Sequence, residues 1–583
     1  MRVPAIYARV VGRLIASFFL LASVHSGVSA QVVPVPLLPQ TGSSNPVSAE
    51  PPVSRPASTP CVVPLLTNQA FADFSGKPLN YMPPASCPGP WAKVVLTADF
   101  TVTAGRQFDR TAEFYLGNAN IFYGTTAEPR KALSPSWHVE RDLTDLSALF
   151  KTAQTGQAVI GNIVNATYTG VIYANAALEF YPATWRDWAP VVPNVVVPVS
   201  ATNNAGTLNT TSDQITRAVN LPRNVERVYL DVIAQSQSND EFWYLCVPTD
   251  KASALASCGN TSFRETEVTI DGKVAGVAPV YPWIYTGGID PYLWEPITGV
   301  ETLDFKPYRV DLTPFAGVLA DGAQHTIGIG VFNASSYFLA TANLLVYTDH
   351  GREQVRGGLL SNTLSAAPLP QVTENLATNA SGTTTGTVSV GSNRSFAVRG
   401  YVDTSHGRVE TTVEQKVSFL NSQTVQVNPT SGPDVQNVVQ TSTVDSVTTT
   451  RDGSLVETNA KHISYPLALN YAFISNADGT QTQTVTSDQK NLLTETQALN
   501  GFRLYEKKVR EEVNSTDTLQ FDAGGALTAP GVGSATASYR SRDSVGNCYS
   551  RSLTAANQKL TAVSDGMGCR EEDRNEHQTN HDE

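Results

Sequence analysis

Between Cys61 and about residue 350, apolar and polar residues alternate over short stretches, as in VVLTADF at 94–100 and VERVYL at 225–230, with Gly, Pro and Asn between them. Successive side chains on a strand point to opposite faces, so this period of two predicts strands with one buried face, at the spacing of a sandwich or barrel. Residues 266–275 spell a hairpin, TEVTI then Asp271-Gly272 then KVA, because Asp-Gly tolerates the positive φ angles of a tight turn. Past residue 360 the text becomes rich in Thr, Ser and Gln, as in VTTT at 447–450 and TQTV at 482–485. Its β-branched residues predict a third β-rich region over 365–570, read as a spacer or docking module without chemistry.

An internal repeat organises the first two regions. Asp142-Leu143-Thr144, a short turn ending at Leu149, then Ile160-Gly161 and Asn165-Ala166-Thr167 recur as Asp311-Leu312-Thr313, a turn near Leu319, Ile327-Gly328 and Asn333-Ala334-Ser335, at offsets of 169, 167 and 168. Two copies of one β unit follow. The predicted fold is all-β: tandem sandwiches over 61–190 and 191–355, meeting in the Pro/Val stretch 189–199, with Thr144 and Thr313 as helix N-caps and Pro314 at a first helical position.

The flanking segments read differently. Residues 31–60 hold eight prolines among Ser, Thr and Gln, which predicts a linker too polar and stiff to pack. Arg2, Arg9 and Arg13 precede an apolar run over 14–24, and Val28-Ser29-Ala30 supplies small residues, so 1–30 is expected to be a signal peptide and the product secreted or periplasmic. That run is too short to span a bilayer, and no membrane partner is expected. The acidic tail 571–583, with His577 and His581, predicts solvated disorder.

Composition narrows the chemistry. Hydrophobic residues make up 41% and charged residues 16%, and 40 Lys and Arg against 52 Asp and Glu leave a net charge of −12. With no basic block, nucleic acid is not an expected partner. Six cysteines fall as neighbours, Cys61 with Cys87, Cys246 with Cys258 and Cys548 with Cys569; of the 15 pairings six cysteines allow, the neighbour set is favoured in an exported chain. His138, His325, His350, His406 and His462 stand alone, so no metal site is expected, and no phosphate-cradling glycine loop appears, so no cofactor is expected either. Nor is there a GxSxG elbow, which leaves carboxylate chemistry.

Two acids have unusual neighbours. Asp109 lies in GRQFDR (105–110), where Arg106 and Arg110 would hold it ionised as a base. Glu241 lies in NDEFWY (239–244), where aromatic walls would keep it protonated as an acid. From the residues alone, an Arg-Asp-Arg surface ladder and a Glu on the solvent face of a strand stand beside those readings. Three tryptophans and four tyrosines among 243–294 tilt this region toward a cleft for flat, polar-tipped ligands such as sugars.

Several ordered motifs carry a resemblance: GRQFDR (105–110), TAEPR (126–130), DEFWY (240–244), DGKVAGVAP (271–279), TGGIDPYLWEPI (286–297) and DLTPF (311–315). Over roughly 61–350 the chain resembles the peptide N-glycanase A family of secreted glycoamidases, and more remotely the flavobacterial peptide N-glycanase F. The remoter likeness implies that the two sandwiches are jelly rolls, with Asp109 and Glu241 as catalytic acids facing one another between them. It further implies substrate contacts from Arg106, Phe108, Arg110, Trp243, Tyr244 and Trp294. A third acid of the remote relative falls at Asn162, so the resemblance implies that this role is either lost or filled elsewhere, with Glu128 and Glu140 as the candidates; the family's Trp-Arg-Pro reads Trp294-Glu295-Pro296 here.

The implied activity is hydrolysis of the amide joining asparagine to the proximal N-acetylglucosamine of an N-glycan, on N-glycosylated peptides and denatured glycoproteins, by a monomer. An endo-type glycosidase and a non-catalytic glycan-binding module are the alternatives.

Overall fold

The computed structural model describes residues 38–569, less 129, 366, 530, 567 and 568; the expected leader and acidic tail lie outside the described residues. The first β unit comprises β1 (Cys61–Phe71), β2 (Lys77–Tyr81), β3 (Trp91–Val102), β4 (Thr111–Leu116), β5 (Ala119–Thr125), β6 (Ser136–Asp142), β7 (Gln154–Ile160) and β8 (Ile172–Pro182). They form two four-stranded sheets in the orders β1-β8-β3-β6 and β2-β7-β4-β5. This is a jelly roll.

After β9 (Val195–Pro198), the second unit runs through β10 (Gly206–Leu208), β11 (Ile215–Val219), β12 (Val225–Gln237), β13 (Glu265–Ile270), β14 (Lys273–Pro279), β15 (Tyr308–Asp311), β16 (His325–Phe332) and β17 (Tyr337–Thr348). Its sheets are β10-β17-β12-β15, to which β9 adds by pairing with β17, and β11-β16-β13-β14; apart from β9, the strand order is that of the first unit. The repeat in the sequence is therefore a repeat of topology.

The Asp-Leu-Thr motif sits at one structural position in both rolls. Leu143 N–H donates to Val94 O at 2.8 Å in the first and Leu312 N–H to Val228 O at 2.9 Å in the second. The caps differ from expectation: Asp142 Oδ1 accepts from Thr144 N–H at 3.0 Å and Asp311 Oδ1 from Thr313 N–H at 2.9 Å. The threonine hydroxyls instead accept from Val94 N–H and Val228 N–H, tying the turn to the central strand. Asp271 and Gly272 take φ of 52° and 73° between β13 and β14, as the hairpin reading requires.

The C-terminal region is a twelve-stranded antiparallel sheet from β18 (Arg356–Asn362) to β29 (Lys559–Asp565), so it begins before residue 365. Its six long strands, β20 (Thr384–Thr404), β21 (Gly407–Val427), β22 (Asp434–Asp452), β23 (Leu455–Ser475), β24 (Gln481–Leu499) and β25 (Phe502–Phe521), follow one another as hairpins. It is not a separate spacer. Val390, Phe396, Val485 and Leu553 from this sheet share one buried cluster with Val268, Ile284 and Ile329 of the second roll.

The proline-rich segment also packs, contrary to the linker reading. Val47 bridges Ile297 in parallel, Ala49 is buried, and Arg55 pairs with Glu140 and Glu179. At its start, Gly42 N–H donates to Leu560 O and Leu560 N–H to Ser43 O. Proline removes amide donors but leaves carbonyls and alternate amides, so an extended chain can still be laid across both rolls and the sheet as a strap.

The six cysteines form the neighbour disulfides Cys61–Cys87, Cys246–Cys258 and Cys548–Cys569. Deep in the second roll, Arg264 and Asp240 form an ion pair at 2.7 Å with neither side chain exposed. Asp240 Oδ2 also accepts from Ser335 and Ser336 N–H, and the guanidinium donates to Thr261 O and Phe263 O. Arg264→Met would leave a buried carboxylate unpaired, and we expect it to lower unfolding free energy by about 3 to 5 kcal/mol in urea titrations.

Candidate active site

Both acids singled out in the sequence follow the third strand of a roll: Asp109 lies in the loop after β3, Glu241 in the turn after β12. The first loop is built around Gln107, which is buried; its Nε2 donates to Gly170 O at 3.0 Å, and its Oε1 accepts from Arg110 Nη2 at 2.7 Å. Arg110 N–H donates to Thr126 Oγ1 at 2.9 Å, joining this loop to the one after β5, which carries Glu128.

The equivalent loop of the second roll, after β14, closes the site. Thr286 Oγ1 accepts from Glu128 N–H at 2.8 Å and donates to Thr126 O at 2.8 Å. Gly287 N–H donates to Asp109 Oδ2, also at 2.8 Å. A Cβ on Gly287 would collide with Glu128 Oε2 and come within 3.1 Å of Asp109 Oδ1, so both carboxylates converge on a point only glycine leaves free. At Gly288 a Cβ would lie 3.3 Å from the Phe242 ring, which places the residue after Glu241 against the same loop. Tyr285 Oη donates to Ser236 O at 2.5 Å and Ser236 Oγ to Glu241 O at 3.3 Å, completing the link.

Burial raises the Asp109 carboxyl, while the Gly287 N–H and the Arg110 charge pull it back down. Glu128 is pushed well above the ordinary carboxyl range by burial and then by the Asp109 charge. Carboxylates this close do not both ionise near neutrality, so the pair shares a proton. It rests on Glu128, whose charge is opposed by both Asp109 and Glu295. Glu241 is pushed up to about 8 by burial and by Asp109, and its carboxyl has no hydrogen-bond partner among the described residues. All three acids are raised, Glu128 the further of the pair, so the site sets acids of unequal strength side by side.

A family model described as peptide N-acetyl-beta-D-glucosaminyl asparaginase amidase A matches residues 46–365, the strap and both rolls. The chain belongs to that family. An amidase A relative from Prunus dulcis, peptide-N4-(N-acetyl-beta-glucosaminyl)asparagine amidase A, is 29% identical over 455 residues, 74% of this chain and 77% of the relative. Among solved structures, PNGase F, a glycosylasparaginase from Flavobacterium meningosepticum, superposes with a TM-score of 0.34 and 12% identity, over 50% of this chain and 96% of that one. PNGF-II gives a TM-score of 0.34 and 14% identity over 50% of this chain and 66% of its own.

Within this chain, the residues expected at the site divide. Asp109, Glu128 and Glu241 come together. Glu140 does not: its carboxylate is held by Arg55, His138 and Val53 N–H, which lower it to about 2, and it lines a cavity of about 840 Å³ beneath the strap that none of the three acids borders. Asn162 is buried and donates to Phe71 O and Gly170 O, a structural amide.

The expected aromatic contacts need correction. Trp243 and Tyr244 are 0% exposed and Trp294 2%, so none presents a face to a ligand. Trp243 packs on Phe419 of the C-terminal sheet, and Trp294 Nε1 donates to Gly288 O at 2.9 Å, buttressing the clamp from behind. Half-buried rings near the acids include Phe108 and Tyr168, 5.1 Å apart, with the Arg106 guanidinium 5.3 Å from the Tyr168 ring, and also Phe242 beside Glu241 and Tyr337, which feels the Glu241 charge. Neither Arg106 nor Arg110 forms an ion pair with Asp109; the orienting donor is Gly287 N–H.

Tyr168 carries no local signal in the sequence, and for Thr286 and Gly287 the signal is the Thr-Gly-Gly run after an aromatic stretch, the mark of a close backbone approach.

Proposed function

We propose that the protein is an exported glycoamidase that hydrolyses the amide between an asparagine side chain and the proximal N-acetylglucosamine of an N-glycan. Family membership supports peptide N-glycanase activity, and the observation that carries the finer reading is the meeting of Asp109, Glu128 and Glu241 at the Gly287 loop. Three disulfides and the leader-like residues 1–30 support export.

Asp109, held by Gly287 N–H, takes a proton from water as its oxygen attacks the side-chain carbonyl carbon. The C–N bond then breaks and Glu241 gives its proton to the departing nitrogen, so the products are an aspartate side chain and a glycosylamine. Glu128 keeps its proton and donates to the developing oxyanion, and Arg110, whose Nε has no partner among the described residues, supplies the nearby positive charge. Phe108 and Tyr168 form the rim on which a sugar ring would rest. Water alone balances the reaction.

Mass spectrometry of one defined glycopeptide tests this: the peptide should emerge sugar-free with Asn converted to Asp. A single retained N-acetylglucosamine would identify a glycosidase instead.

The protonation states give a pH prediction. Glu241, with its pKa raised to about 8, donates below that value and loses the proton above it, so kcat/KM should fall tenfold per pH unit on the alkaline side. On the acid side, protonation of Asp109 should give the opposite limb. In Glu241→Gln, activity drops and the limb near 8 disappears; a limb that persists there belongs to another group.

A further inference from the structure

The turn that carries Glu241 has a hydrogen-bonding problem. Residues 241–246 are neither helix nor strand of useful length, yet Trp243, Tyr244 and Cys246 are completely buried; Cys246 N–H donates to Trp243 O and Ser257 Oγ to Leu245 O, which leaves the carbonyls of Tyr244 and Cys246 in need of donors from outside the turn. The donors come from the C-terminal sheet. Asn421 Nδ2 donates to Tyr244 O at 2.9 Å, Gln423 Nε2 to Cys246 O at 3.0 Å, and Gln436 Nε2 to Leu245 O at 2.9 Å.

These amides also bond one another, Gln436 Nε2 to Gln423 Oε1 at 2.7 Å, Gln423 Nε2 to Asn421 Oδ1 at 3.1 Å and Asn421 Nδ2 to Gln440 Oε1 at 2.9 Å. Asn421, Gln423 and Gln440 are 0% exposed. A row of polar amides on the inner face of a sheet is costly unless its members are used, and here Asn421, Gln436 and Gln423 match three consecutive carbonyls, 244–246, just after Glu241, while Gln440 Nε2 is left without a partner among the described residues. On the other wall, Gln489 Oε1 accepts from Val300 N–H and its Nε2 donates to Pro282 O, both at 2.8 Å, gripping the two ends of the loop that carries Gly287.

We infer that the C-terminal sheet is part of the catalytic apparatus: Asn421, Gln423 and Gln436 are positioning residues that set the Glu241 turn against the Gly287 loop. This rests on the reading of Glu241 as the acid. One rigid sheet reaches both walls that the second roll contributes, so the spacing of Glu241 from Asp109 is fixed by residues more than 150 positions downstream of either acid.

The test uses the full chain and a defined glycopeptide. Gln423→Met keeps the side-chain shape and removes the donor; Gln423→Asn keeps the amide but falls short of Cys246 O; Asn470→Ala removes an exposed amide of the same sheet as a control. We expect both Gln423 variants to lose kcat by on the order of tenfold or more with KM near the parent value, and the alkaline limb to move from its parent position. Asn470→Ala should match the parent. The inference is overturned if the parent cleaves and a folded Gln423 variant keeps both kcat and pH profile, whatever its melting temperature; Gln423→Asn serves if Gln423→Met does not fold. A parent that fails to cleave overturns the functional reading itself.

Discussion

Asp109→Asn is expected to abolish turnover, lowering kcat by about a thousandfold or more, while leaving the protein at least as resistant to heat as the parent. The substitution keeps the shape, and the new amide oxygen can still accept from Gly287 N–H. It removes the carboxylate that Gly287 N–H and the Arg110 charge favour in its ionised form, the group proposed to take a proton from water. The stability half follows from the raised pKa: an acid shifted upward by burial destabilises the fold once it is ionised, so a neutral isostere relieves that cost at pH 7. Kinetics on a defined glycopeptide and a thermal melt of the same preparation check both halves. A variant that retains parent-like turnover would remove Asp109 from the chemistry.

Gly287→Ala is expected to cost about a hundredfold in kcat with little change in melting temperature, since misplacement of reacting groups by about 1 Å carries a penalty of that size. One methyl group would collide with Glu128 Oε2 and crowd Asp109 Oδ1. The Glu128 carboxyl must then swing away or the loop must retreat, and retreat lengthens the Gly287 N–H to Asp109 bond that orients the base. The core behind the loop, where Trp294 donates to Gly288 O, is untouched. Parent-like kcat in this variant would show that the close approach is not needed for the reaction.

The two acids occupy equivalent places in a duplicated roll, after the third strand of each, and the clamp loops after β5 and β14 are equivalent as well. The repeat of Asp142-Leu143-Thr144 at Asp311-Leu312-Thr313 made the duplication readable without coordinates, because that motif ends the sixth strand of each roll and ties it to the third. Which turn residue does the capping was not readable. Asp and Thr are both good caps, and the threonine hydroxyl was claimed by the neighbouring strand.

The choice among candidate acids shows the same limit. Glu128 and Glu140 are both acidic residues in the first roll, twelve positions apart, and nothing local distinguishes them. Strand β6 turns Glu140 toward Arg55 of the strap, whereas the loop after β5 delivers Glu128 to Thr286 of the other roll. Trp243 and Trp294 likewise have the composition of a sugar platform, and only the arrival of Phe419 and of the 286–288 backbone buries them.

By itself, then, the sequence determined the β architecture, the duplicated unit and the Asp271-Gly272 hairpin, because alternation and turn residues are local and survive in one dimension. Tertiary structure decided that the strap packs, that the last sheet joins the core, that Glu128 completes the acid group and that Gly287 orients Asp109. Those outcomes depend on which loops meet when two rolls and a sheet dock, and docking is set by whole buried faces and by the need to satisfy every hidden carbonyl and amide.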